Sequence, residues 1–141
     1  MYRGIAAAGV GRVVQTRTFG VYRWHLGQPP DDDNSPTLDG ERRQGGAYRA
    51  TKQLSEALAF SLSREFGVST TAVRPAAIYG ARDHNTMPSL RFLMRLPLLV
   101  LPRFSFPMVY AGDVANAVVG ALANPASGGK AYITAGANTT I

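Results

Sequence analysis

Tyr48 and Lys52 stand four residues apart near the head of a long stretch with helical apolar spacing, 47–66. On a helix that interval stacks both side chains on one face. A phenol, which titrates near ~10 in water, exchanges protons poorly at neutral pH unless a fixed cation beside it stabilises the phenolate. Lys52 is such a cation. Of the fifteen basic residues only Lys52 and Lys130 are lysines, and a compact ammonium can slip beneath a ring to bond a hydroxyl where a planar guanidinium fork would not fit. The alternative is a surface tyrosine and lysine that only cover the side of a helix, so the surrounding residues carry the decision.

A third hydroxyl belongs to Thr18. It follows the run 12–16, which reads as a strand entering the core, and so stands just past a strand end, where open α/β sheets build their sites. A hydroxyl there can bond a substrate oxygen while Tyr48 exchanges the proton. The plainer reading is a strand-end threonine that satisfies nearby backbone groups.

The elements that must position these residues alternate. A short helix over 2–8 is bracketed by Gly9 and Gly11, and 12–16 follows as a strand. Residues 23–46, with Pro29, Pro30, Asp31, Asp32, Asp33 and Pro36, read as a long surface loop. The spacing predicts a helix over 47–66, with Leu54, Leu58 and Leu62 marking one side and Gly67 ending it. A β-branched strand over 68–74 stops at Pro75. A helix that leads at once into a buried-type strand predicts a βαβ crossover and a parallel sheet. Residues 89–101 are apolar, helical at first and then interrupted by Pro97 and Pro102. A short strand over 108–110, a helix over 114–123 capped by Asp113, and a strand over 130–134 complete the chain, with no internal repeat.

At 141 residues the chain is one domain's worth, and 45% hydrophobic against 17% charged residues is a globular composition. The absence of cysteine excludes disulfides, thiolate catalysis and cysteine metal sites, and points to a reducing cytoplasm. His25 and His84 stand apart from any acidic ligand pattern, so no metal site is expected. The net charge of +6 comes from scattered arginines, with no basic block beyond Arg42 and Arg43 and no interleaved aromatic ladder, which argues against a nucleic-acid surface. The apolar run 96–101 is too short and too broken by proline to span a bilayer.

Five segments in order resemble the extended short-chain dehydrogenases/reductases, the NAD-dependent epimerase/dehydratase family. They are 9–22, the acidic loop 31–36, the run Tyr48, Arg49, Ala50, Thr51, Lys52, the run from Arg74 to Gly80, and 109–115. The resemblance implies an α/β fold: a partial Rossmann-like, doubly wound parallel sheet with flanking helices and a small, incomplete substrate-binding part. It divides a single partial domain, 1–141, into the C-terminal half of a Rossmann-like core, 1–84, and a substrate-binding part with the last core elements, 85–141. It also implies catalytic roles: Tyr48 as general acid and base, Lys52 as the residue that holds the nicotinamide ribose, and Thr18 as the residue that orients the substrate oxygen. Pro75, Ala76, Ala77 and Ile78 would then meet the carboxamide beside Tyr48 and Lys52, with NAD or NADP as cofactor. Helices 2–8 and 47–66 resemble the family's dimer-forming pair, with Leu58 and Leu62 as candidate contacts. Arg91, Arg95 and Arg103 could meet a sugar nucleotide's phosphates, although snorkelling helix arginines are the preferred reading.

Two features depart from the family. The dinucleotide fingerprint Gly-x-Gly-x-x-Gly is missing, because Gly9 and Gly11 are followed by Val14 rather than a third glycine and precede a strand. Set against the family, the chain begins at the helix before the fifth strand and resembles an internal piece of an enzyme. The second departure is that Phe19 and Gly20 occupy the places where sugar-nucleotide 4,6-dehydratases carry an acidic pair. With no carboxyl to protonate a leaving hydroxyl, epimerisation or carbonyl reduction of a small-molecule substrate fits better than elimination. A catalytically silent fragment or interaction module is the rival reading, and a basic nucleic-acid-binding domain the third.

Overall fold

Two glycines turn helices into strands at the entry to the central sheet. In the computed structural model, which describes residues 1–22, 42–84, 86–93, 95, 105–136 and 139–140, helix α1 (Tyr2–Ala7) ends where Gly9 takes φ 71°. The Val10 N–H then reaches the Ile5 carbonyl at 3.1 Å and the Gly9 N–H reaches the Ala6 carbonyl at 3.0 Å. Helix α2 (Arg42–Phe66) ends the same way, with Gly67 at φ 64° and the Val68 N–H on the Ser63 carbonyl at 3.0 Å. A side chain with a Cβ pays a steric cost in this left-handed conformation, whereas glycine does not. Strands β1 (Arg12–Thr16) and β2 (Ser69–Pro75) follow directly. The acidic loop 31–36, His25, Arg103 and the run 96–101 lie outside the described residues.

β1, β2 and β6 (Ala131–Thr134) form a parallel sheet in the order β1-β2-β6, with Val14 opposite Thr71 and Val73 opposite Tyr132. Alternation along the strands sends neighbours to opposite faces. On one face Gln15 Nε2 donates to Tyr2 Oη at 2.6 Å, and Tyr2 Oη in turn bonds Thr70 Oγ1 at 3.0 Å. Arg74 on the same face meets Glu56 of α2. On the other face Arg12 donates to the Leu122 carbonyl of α4 (Ala111–Ala123) at 2.9 Å, and Thr71 donates to the Ser127 carbonyl just beyond that helix at 2.9 Å. Helices therefore cover both faces of a parallel sheet, as expected of a doubly wound fold.

Three buried clusters hold these layers. Tyr2, Ala59 and Val68 pack with Ile5, Val13, Leu62 and Phe66 between α1, α2 and the sheet. Phe19, Val21 and Tyr22 fill the end of β1, and Ala76, Val109 and Val114 join the end of β2 to α4. Two small pairs extend the sheet's carboxyl side: β3 (Ala77–Tyr79) runs parallel to β5 (Met108–Tyr110), and β4 (Ser105–Phe106) antiparallel to β7 (Thr139–Thr140). Helix α3 (Thr86–Leu93) opens with the Met87 N–H bonded to Asp83 Oδ2 at 2.9 Å.

Three local expectations are corrected. The 47–66 helix is preceded by a further helical piece from Arg42, and the two meet at Gly46, whose φ of 65° and ψ of 175° break the helix. Leu54 and Leu58 do not mark the packed side: they are 69% and 58% exposed, while Glu56 and Ala59 are buried. Two residues of helix turn the chain about 200°, so drawing Glu56 inward to Arg74 turns both leucines outward. Asp113 is not the cap of α4, because the helix begins at Ala111 with Tyr110 in the capping position. The carboxylate sits instead within the first turn, where it favours the helix dipole.

Candidate functional site

β1, β2 and β6 point the same way, so their carboxyl ends share one edge, and two chain segments leaving it meet helix α2 there. Beyond β1, Thr18 heads a 3-10 turn (Phe19–Val21) and its Oγ1 accepts from the Gly20 N–H at 3.1 Å. The plainer role expected of this threonine is therefore filled. A hydroxyl has one donor and two acceptor sites, so the cap leaves its proton and a lone pair available. At the end of β2, Pro75 still pairs with Thr134 of β6, and the Ala76 N–H bonds the Thr134 carbonyl at 2.9 Å before the chain passes into β3. The Gly46 break restarts α2 two residues before Tyr48 and sets the phenol over the same edge.

These segments enclose a cleft of about 300 Å³ lined by Thr18, Gly20, Tyr48, Arg49, Pro75 and Ala76, with Phe19 and Tyr22 as its aromatic wall. Lys52 lies one turn along from Tyr48, half-buried, with its Nζ 5.6 Å from the centre of the phenol ring. That is within cation–π range and keeps the ammonium on the ring's side of the helix. The structure thus brings Thr18, Tyr48, Pro75 and Ala76 to one cleft, with Lys52 beside it. Ala77 and Ile78 fall outside the lining, on β3, where they pair with Met108 and Val109.

Below the cleft lies a polar arrangement that the sequence reading missed. Arg74, at the end of β2, donates through Nε to Glu56 Oε1 at 3.2 Å and Oε2 at 3.3 Å, and its terminal nitrogens bond Glu56 and the Tyr22 hydroxyl. Arg74, Glu56 and Tyr22 are all buried. Burial is the largest single influence on the Arg74 guanidinium and works against its charge. The hydrogen bonds and charges of Glu56 and Tyr22 together outweigh it, so Arg74 is held charged more firmly than an ordinary arginine. A second tie joins the strand end to the helix: Arg17 donates to Ser55 Oγ at 2.8 Å and to the Ser55 carbonyl at 3.1 Å, and Ser55 Oγ donates to the Lys52 carbonyl at 2.9 Å. A signal for the first arrangement was present, since Tyr48, Lys52 and Glu56 repeat at intervals of four.

A separate hollow of about 360 Å³ lies along α3, with Arg91 and Arg95 on its rim together with Asp83, Met87 and Phe92. Among the described residues no group of histidines, aspartates and glutamates could hold a metal ion, and no helix is long and apolar enough to cross a membrane.

The sequence profile of the NAD dependent epimerase/dehydratase family matches residues 2–135. No curated protein sequence matches the chain. Similar solved structures include a UDP-glucose 4-epimerase from Thermus thermophilus in complex with NAD, at 21% identity and a TM-score of 0.73 over 99% of this chain and 47% of that one. A UDP-N-acetylglucosamine 4-epimerase from Bacillus cereus is similar at 19% identity and a TM-score of 0.71, over 99% of this chain and 47% of that one. A dTDP-glucose 4,6-dehydratase double mutant from Streptomyces venezuelae, with NAD bound, is similar at 24% identity and a TM-score of 0.71, over 94% of this chain and 41% of that one. The chain spans less than half the length of each.

Proposed function

Because the chain belongs to the NAD-dependent epimerase/dehydratase family, we propose that it forms the proton-transfer part of a nicotinamide-dependent epimerase or reductase acting on a hydroxyl or carbonyl compound such as a sugar nucleotide. The observation that carries this reading is the convergence of Thr18 and Tyr48 on one cleft, with the Lys52 ammonium against the Tyr48 ring. The residues present suit the nicotinamide end of the cofactor: an ammonium for ribose hydroxyls at Lys52, and the strand end at Pro75 and Ala76 along the cleft wall. NAD or NADP, when bound, supplies the acceptor or donor of hydride. Tyr48 takes the proton from the substrate hydroxyl as the carbon is oxidised and returns it as the carbonyl is reduced. Thr18 keeps an O–H to donate to the same oxygen, which holds it within reach of Tyr48. Lys52 stabilises the phenolate that this exchange requires.

Among the described residues the cleft lining contains no carboxylate, and Phe19 and Gly20 stand beside Thr18. Elimination of water needs an acid for the leaving hydroxyl, so this lining favours epimerisation or reduction over dehydration. Leu54 and Leu58 leave an apolar strip of α2 exposed, which supports pairing with a second copy through α1 and α2. Leu62 is instead engaged with the Tyr2 cluster.

Fluorescence titration of the 141-residue chain with NADH and NADPH tests the proposal. A saturable response that weakens in Lys52→Met supports it. No response up to millimolar cofactor overturns it in favour of a catalytically silent or interaction role. That rival draws on β1, which is the outer strand of the three-stranded sheet among the described elements and so offers an open edge for association.

A further inference from the structure

Resting on that reading of the cleft, we infer that Arg49 selects substrates that carry an anionic group, a carboxylate or a phosphate, near the carbon being oxidised or reduced. Among the described residues that line the cleft, Arg49 supplies the charge and the others are neutral. It is half-buried, and among the described residues no carboxylate pairs with it. A planar guanidinium lining a cleft in this way offers paired N–H donors that match carboxylate and phosphate oxygens.

The geometry at Gly20 sets where that anion would lie. A Cβ built on Gly20 would stand 3.2 Å from Arg49 Nε and 3.4 Å from Thr18 Oγ1. The guanidinium and the hydroxyl therefore converge over one residue whose missing side chain leaves the approach open. Thr18 is the residue assigned to the reacting oxygen, so a group bound at Arg49 belongs to an adjacent atom of the same substrate and not to its distant end. The two arginines of the α3 hollow, Arg91 on the helix and Arg95 just beyond it, are exposed and line a different hollow from Thr18 and Tyr48. Arg49 is thus the residue that would separate a hydroxy acid or a sugar phosphate from a neutral alcohol of the same size.

Backbone-amide NMR on the 141-residue chain tests this with matched probes: lactate against propane-1,2-diol for a carboxylate, and glycerol 3-phosphate against glycerol for a phosphate. The expected result is that at least one anion binds about tenfold or more tighter than its neutral partner, because charge-assisted hydrogen bonds are worth more than neutral ones. Shifts should centre on Thr18 and Gly20, and the pair that shows the preference identifies the group. Arg49→Gln should remove the preference and Arg49→Lys should keep part of it. Gly20→Ala, which pushes a methyl against Arg49 Nε, should weaken it as well. Equal binding of anion and neutral partner at Thr18 and Gly20, or a preference unchanged in Arg49→Gln, overturns the inference and leaves the proton-transfer reading standing. Probes that shift only α3, or no residue of the cleft, overturn both.

Discussion

Glu56 and Arg74 face each other across the interface of α2 and β2, with side chains 9% and 10% exposed, and their pairing fixes which face of the helix meets the sheet. Tyr48 and Lys52 lie two turns and one turn before Glu56 on the same helix. The rotation that buries Glu56 therefore also presents the phenol to the cleft, while Tyr22, bonded to the same guanidinium, forms part of the cleft wall.

Breaking this pair from one side leaves a charge buried without its partner. Glu56→Ala should cost about 3–5 kcal/mol in urea unfolding, whereas replacing both residues with apolar ones of similar size should recover most of the loss. Because Arg74 titrates above the ordinary arginine range, its contribution is present at every pH below that range and should not fade between neutral and moderately alkaline conditions. A loss within about 0.5 kcal/mol for Glu56→Ala would show that the pair does not set the helix's seat.

Tyr48 is 63% exposed, so its hydroxyl contributes little to folding. Tyr48→Phe should unfold within about 0.5 kcal/mol of the parent chain, yet lower any hydroxyl-to-carbonyl interconversion by a factor on the order of a hundred to ten thousand. Comparing chemical denaturation with turnover separates the two effects, and equal turnover in the variant would remove Tyr48 from the chemistry.

Thr18 carries both a cap and a proposed substrate contact. Thr18→Val, which keeps the shape and deletes the hydroxyl, should lower stability by about 1 kcal/mol through the lost bond to the Gly20 N–H. It should also weaken substrate binding, a second effect that a cap alone would not produce. Calorimetric unfolding and ligand titration on the same variant read the two separately.

The leucines of α2 should behave in opposite ways. Leu62→Ala, within the Tyr2 cluster, should destabilise the fold by about 2 kcal/mol. Leu58→Glu, on the exposed strip, should leave stability nearly unchanged and shift sedimentation from dimer to monomer. A monomeric parent chain would end the pairing proposal.

How much of this the sequence disclosed follows from the range of each signal. The strands and helix ends were legible because glycine and proline act locally: Gly9, Gly67 and Pro75 each stop an element where the structure stops it. The strand end raised Thr18 as a partner for Tyr48, and the family resemblance gave that pairing its weight, since nothing local ties two residues so far apart in the chain. The facing of α2 was misread from Leu54 and Leu58, because apolar spacing alone gave no weight to a buried glutamate. Glu56 finds its partner eighteen residues away, at Arg74, and a long-range ion pair leaves no mark in hydrophobic periodicity. Asp113 was misplaced for a smaller reason: the helix starts two residues earlier, at Ala111, without a side-chain cap to announce it.

The most direct test of the central claim is an NMR titration of the chain with reduced nicotinamide mononucleotide, following the backbone amides of Thr18 and Ala76 and the ring of Tyr48. The account expects all three to shift together with one saturation curve, and the curve to flatten in Lys52→Met. Shifts confined to residues outside this cleft, or an identical curve in Lys52→Met, would contradict it.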